Sequence, residues 1–116
     1  RIVMKIIEDL LGDVLVEVIN VDRPSYADAE KLKEMIAEKT NLGTNKIVVD
    51  LSACEFIDST FLGVLVSALR KVTKLDGDLR LVGFKPAVKA MFELTRMFRV
   101  FETYTDLKEA VGSFNK

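Results

Sequence analysis

The sequence has 116 residues, 17 basic against 18 acidic, no histidine, one cysteine and 49% apolar residues, the composition of one globular domain with a real core. These counts exclude an internal disulfide, a cysteine-built zinc site, imidazole metal ligation, Ser-His-Asp or Cys-His catalysis and a basic nucleic-acid footprint. The longest uncharged run, eleven residues from Ser59 to Leu69, falls short of the roughly 20 a membrane span needs.

Two apolar runs, Ile2 to Ile7 and Val14 to Val21, flank Gly12-Asp13 and predict a β-hairpin. Pro24-Ser25-Tyr26 predicts a helix start, because proline suits a first turn and Ser25 with Asp28 has the capping-box spacing. Ala29, Leu32, Met35 and Ile36 share one face of that helix, which Gly43 ends. Ile47 to Leu51 reads as a short buried strand. A loop from Ser52 to Asp58 then leads into a helix striped by Leu62, Leu65, Val66, Leu69 and Val72. Asp76-Gly77 turns the chain into a strand from Leu79 to Val82, completing a βαβ unit with parallel strands and a right-handed crossover. Pro86 opens a third helix with Val88, Met91 and Phe92 inward. Val100-Phe101 predicts a last short strand, and Thr103 or Thr105 the cap of a fourth helix carrying Leu107, Ala110, Val111 and Phe114. The expectation is an α/β fold over residues 1–116 as one domain: a single mixed sheet of four to five strands packed against about four helices. Glu8, Asp9 and Asp13 argue against a signal peptide, so the expected address is cytoplasmic, without direct membrane insertion.

In an open α/β sheet, sites gather beyond the carboxyl ends of parallel strands. Here that is the loop after Leu51, leading into Asp58, Ser59 and Thr60. One reading is plain N-capping, worth about 1 kcal/mol. The other uses the same geometry: a hydroxyl at a helix N-terminus faces the positive end of the dipole. Phosphorylation would add a charge of about −1.5 to −2 that the helix tolerates and that an acidic or apolar partner surface does not. Cys54 is expected to be a packed thiol, having no basic neighbour to activate it. Asp50 and Asp58 are a pair of carboxylates that acid–base or magnesium chemistry would need, though an acid on each side of a loop is common. Lys85, Lys89, Arg96 and Arg99 make a basic region, read as a solvated helix face or a patch for an acidic partner. Met91, Met97, Phe92 and Phe98 read as core, and no glycine-rich phosphate loop is present.

Ile47-Val-Val-Asp-Leu-Ser52, Phe56-Ile-Asp-Ser-Thr60 and Leu62-Gly-Val-Leu-Val66 together resemble the STAS domain of bacterial anti-sigma factor antagonists. Gly77-Asp-Leu-Arg-Leu-Val-Gly83, Pro86-Ala-Val88, Phe92-Glu-Leu-Thr95, Arg99-Val-Phe101 and Leu107-Lys-Glu-Ala110 continue the resemblance. Before Ile47 it is looser, with Asn20-Val-Asp22 where the family usually has a glycine and an acidic residue. The resemblance implies the STAS fold and a regulatory protein-binding switch, not an enzyme, with no cofactor, metal or catalytic residue. In such a switch the unphosphorylated form binds an anti-sigma factor that has serine kinase activity, so that a sigma factor is released. Phosphorylation reverses this, and a serine phosphatase resets it. Carried over, Ser59 is the phosphoacceptor and Thr60 the second choice, while Asp58, Ser59, Thr60, Phe61 and Asp22 meet the partner. Phe61 stands where the family usually has glycine; its ring either turns into the core and stiffens the surface or is exposed as a partner anchor. Two other uses of the chain stay open: a non-switching STAS subunit of a signalling scaffold or membrane transporter complex, or a nucleotide- or small-molecule-binding domain using the loop from Ser52 to Thr60. A monomer is the expected state, although edge strands near the N-terminus could pair.

Overall fold

A two-residue turn at Gly12-Asp13 joins β1 (Ile6–Leu11) to β2 (Val14–Ile19), antiparallel, with Leu11 opposite Val14 and Ile6 opposite Ile19. Of the two turn residues only Gly12 has positive φ, +65°, the type II′ pattern that matches the twist of paired strands. The computed structural model describes residues 4–115, so Ile2 and Val3 of the expected first strand lie outside the described residues. That strand continues instead through Glu8, Asp9, Leu10 and Leu11. As the edge of the sheet it is mostly exposed, so charged side chains are tolerated there and the apolar run does not mark its end.

Ser25 caps α1 (Tyr26–Asn41) with both halves of the capping box: its Oγ accepts from the Asp28 N–H at 3.2 Å, and its own N–H donates to Asp28 Oδ2 at 2.8 Å. Pro24 precedes the cap and is not part of the first turn. Ala29, Leu32 and Ile36 are buried, with Met35 half-buried beside them. There follow β3 (Lys46–Asp50), α2 (Ser59–Lys74), β4 (Asp78–Val82) and α3 (Pro86–Leu94). The expected strand at Val100-Phe101 is absent. A 3-10 turn, Met97–Arg99, swings Phe101 into the core, 4% exposed, with its ring centroid 6.2 Å from that of Phe92. The last strand, β5, is the two-residue Thr103–Tyr104. Neither Thr103 nor Thr105 caps α4 (Leu107–Gly112); Asp106 does, accepting from the Glu109 N–H at 3.2 Å.

The five strands lie in chain order, β1-β2-β3-β4-β5, with every pair after the first parallel. Right-handed crossovers that always step the same way put their helices on one face of a sheet, and α1, α2 and α3 share that face. Leu15, Ile19, Ile47, Val49, Leu79 and Leu81 meet them there. Val14, Val16, Val48 and Val82 point the other way, onto Ala110 of α4. β3 is therefore buried on both faces, as its near-continuous apolar sequence requires.

Candidate functional site

The carboxyl ends of β2 and β3 carry two loops that the backbone ties together. The Asp22 carbonyl accepts from the N–H groups of Glu55 and Phe56 at 2.8 and 3.2 Å. Within the second loop the Ser52 N–H donates to Asp50 Oδ1 at 2.9 Å, the Cys54 N–H to the Leu51 carbonyl at 2.9 Å, and Lys85 pairs with Glu55 at 3.1 Å. Gly83, at φ +77°, ends β4 against this loop, and a Cβ there would collide with Ser52.

The loop delivers Asp58 as the N-cap of α2. Its backbone is extended, its Oδ1 accepts from the Phe61 N–H at 2.8 Å, and its carbonyl accepts from the Leu62 N–H at 3.0 Å. Ser59 and Thr60 are thereby the first two helical residues, both exposed. Their N–H groups belong to the set that a helix start leaves without intrahelical acceptors, and the positive end of the dipole lies under the Ser59 hydroxyl.

Phe61 is 0% exposed, a core residue beneath the helix start. It therefore presents no ring to a partner, and the alternative of an aromatic anchor at this position is corrected. An exposed aromatic lies just before it, in the loop that leads into α2. Phe56 is 43% exposed, with the Arg23 guanidinium carbon 5.9 Å from its ring centroid. The sequence signalled this pair only faintly, through an aromatic residue standing between Glu55 and a buried Ile57. Asp22 reaches the site through its carbonyl, while its side chain is exposed beside the loop. Asp50 and Asp58 each spend a carboxylate oxygen on a backbone N–H and act as loop and helix caps. Cys54 is fully buried, its thiol 3.8 Å from the Ile19 carbonyl; burial, then the nearby Asp50 charge, pushes it up to about 12, an inert thiol at neutral pH.

The sheet, with α1, α2 and α3 on one face, thus presents at its carboxyl edge a capped helix start that carries an exposed serine. The STAS domain family model matches residues 15–110, and the chain belongs to that family. Among its relatives, a candidate anti-sigma factor antagonist of Thermotoga neapolitana, a TM1081 homolog, is 31% identical over 108 residues, 92% of this chain and 91% of the relative. The candidate antagonist BtrV of Bordetella bronchiseptica is 26% identical over 114 residues, 98% of this chain and 94% of that one. The crystal structure of a candidate anti-sigma factor antagonist from Thermotoga maritima superposes with a TM-score of 0.85 at 26% identity, covering 96% of this chain and 95% of that one. Unphosphorylated SpoIIAA shares the fold, with a TM-score of 0.84 at 16% identity over 95% of this chain and 96% of that one. The chain is thus a member of a family of regulatory proteins. Among the described residues no helix is long and apolar enough to cross a membrane.

Proposed function

We propose that this chain is an anti-sigma factor antagonist acting as a phosphorylation-controlled protein-binding switch. Its unphosphorylated form binds an anti-sigma factor with serine kinase activity, that partner phosphorylates Ser59, and a serine phosphatase restores the binding form. The observation that carries the reading is Ser59 standing exposed as the first residue of α2, beside the capping Asp58. A phosphate there gains the dipole and loses the partner. Asp58, Thr60 and Asp22 complete the contact surface, with Phe56 and Arg23 at its rim.

Topology supports a macromolecular partner over a small ligand. Crevices in open α/β sheets form where the strand order reverses, and this order never reverses. At this edge the exposed start of α2 has a shape suited to a protein surface, while the depression lined by Gly83, Phe84, Lys89, Phe98 and Thr105 lies off to one side, at the ends of β4 and β5. Capture from lysate of the source organism, with wild type and Ser59→Asp as parallel baits, tests the reading. Wild type is expected to recover a serine kinase and Ser59→Asp to recover at least about tenfold less, as an uncompensated charge in an interface costs, with unfolding curves of the two baits superimposing. Equal recovery of the kinase by both baits, or none by either, rejects the switch.

A further inference from the structure

We propose that the chain forms a twofold homodimer in which β1 pairs antiparallel with β1 of a second copy, the dyad passing through Ile7. β1 is the long free edge of the sheet, six residues against the two of β5. Beside or within it Met4, Ile7, Leu10 and Leu11 are 59%, 42%, 59% and 42% exposed, a concentration of apolar surface that monomeric edge strands avoid. The inference does not rest on the proposed switch.

The hydrogen-bond phase of this edge limits how it can pair. The Asn20 N–H donates to the Lys5 carbonyl at 2.7 Å, directly across the ladder. By alternation Lys5, Ile7 and Asp9 turn their main-chain groups toward β2, and Ile6, Glu8 and Leu10 turn theirs outward. An antiparallel neighbour must set outward residues against outward residues, so two copies of β1 can pair only in registers centred on a residue, never between two. This removes the arrangement that would put Glu8 against Asp9. Centring on Glu8 or Asp9 stacks like carboxylates, which is unfavourable. Centring on Ile6 sets Lys5 against Ile7 and Met4 against Glu8, matching no charge. Centring on Ile7 sets Ile7 against itself, Met4 against Leu10, Lys5 against Asp9 and the buried Ile6 against Glu8, so that the exposed apolar side chains and one pair of opposite charges are matched together. Lys5 is available for this, and the exposed Asp9 carboxylate, which accepts from the Leu10 N–H at 2.8 Å, has to release that N–H to the second copy. The contact of Lys5 with Asp28 is 3.8 Å and the lysine side chain is 64% exposed, a weak tether.

The helix above the edge repeats the pattern. Lys5 lies near Asp28, and Lys39 lies 3.7 Å from Glu8, so α1 runs in the same direction as β1. On its side toward the edge it carries Lys31, Met35 and Glu38, which line one depression together with Met4, Ile6 and Glu8. Continuing the sheet by two strand spacings places the second α1 about 10 Å away, an ordinary helix-packing distance. Met35 then meets its own copy near the dyad, and Lys31 meets Glu38 of the second copy. Strand and helix each read positive, apolar, negative along the chain, and an antiparallel twofold makes each its own complement.

Analytical ultracentrifugation from micromolar to about 1 mM, the range for a modest interface, tests the proposal on the whole chain. Wild type is expected to dimerise and Ile7→Lys to raise the dissociation constant at least about tenfold. Asp9→Lys weakens the dimer by roughly 5–30-fold, and Lys5→Asp with Asp9→Lys recovers wild-type affinity to within about threefold. Dyad residues in a non-hydrogen-bonded pair have Cα atoms about 4.5 Å apart, within disulfide reach. Ile7→Cys therefore cross-links under mild oxidant while Asp9→Cys does not; buried Cys54 stays silent. A wild type that remains monomeric throughout, a dimer indifferent to Ile7→Lys, or equal cross-linking at positions 7 and 9 overturns it.

Discussion

Glu17 has 0% exposure, and neither of its carboxyl oxygens has a hydrogen-bond partner if it is ionised. Across the ladder stands Glu8, whose other neighbour is Lys39 at 3.7 Å. Burial first, and then the hydrogen bond and charge of Glu8, hold the Glu17 carboxyl up at about 9 from an ordinary 4.5. A carboxyl held that high keeps its proton at neutral pH and can offer it to the Glu8 carboxylate opposite, which Lys39 balances. The folded chain keeps a proton that the unfolded chain releases, so this group's contribution to stability falls as pH rises from about 4.5 through about 9. Glu17→Gln supplies the neutral donor permanently. It is expected to stabilise the fold by roughly 1–3 kcal/mol near pH 8 and to flatten the decline between about pH 6 and about pH 9, measured by urea unfolding. Parallel pH profiles for variant and wild type would falsify the shared proton. Other single residues were unevenly legible in the sequence. Ser59 was, because an Asp-Ser-Thr run before an apolar stripe is a local signal of a helix start. The direction of Phe61 was not, since a residue in the first turn faces core or solvent according to how the helix sits on its sheet.

α2, which carries the proposed contact surface, keeps a glycine in its interior at a cost to itself. Gly63 lies one turn after Ser59, exposed, and a Cβ added there meets nothing within 4 Å. Glycine in a helix interior costs about 0.5–1 kcal/mol relative to alanine. Gly63→Ala is therefore expected to raise stability by about that amount in thermal or urea unfolding. If a partner approaches the helix backbone closely along Ser59, Thr60 and Gly63, the same variant binds the captured kinase less tightly, and an unchanged affinity would show that the contact stops at the first turn. Elements defined by their own residues were legible: the Ser25–Asp28 capping box and the stripe on α2 appear where the sequence put them. β1 and β5 were not, because edge strands answer to their neighbours. Glu8 and Asp9 continue a strand that an apolar run had seemed to end. Thr103–Tyr104 is a strand only because β4 lies beside it, taking the Glu102 carbonyl for the Leu81 N–H and the Tyr104 carbonyl for the Gly83 N–H. Three residues in a row of four, Thr103, Thr105 and Asp106, are able to cap α4, and the burial of Ala110 selects Asp106.

For the whole molecule, the two faces of the sheet are unequally covered. Three helices bury one, and the six-residue α4 with the turn after it buries the other. That second face depends on Ala110, 0% exposed over Val14, Val16, Val48 and Val82. Ala110→Asp buries a carboxylate there and is expected to cost at least about 3 kcal/mol, with α4 detaching and a hydrophobic dye binding the uncovered valines. Unchanged stability would mean that α4 is dispensable. In the proposed dimer the two sheets run antiparallel, so the two Ser59 sites point to opposite ends and each stays open to its own partner.

The agreement between spatial order and chain order has a consequence for synthesis. From β2 onward each strand docks on an edge that the preceding strand has just created, so no strand waits for a segment still inside the ribosome. The sheet can be laid down vectorially, with the local β1–β2 hairpin first and each slower parallel pairing waiting only for its own crossover helix. One element breaks this order. α4, made after all five strands, must reach back under β2, β3 and β4, so the valine face is the later of the sheet's two faces to leave water.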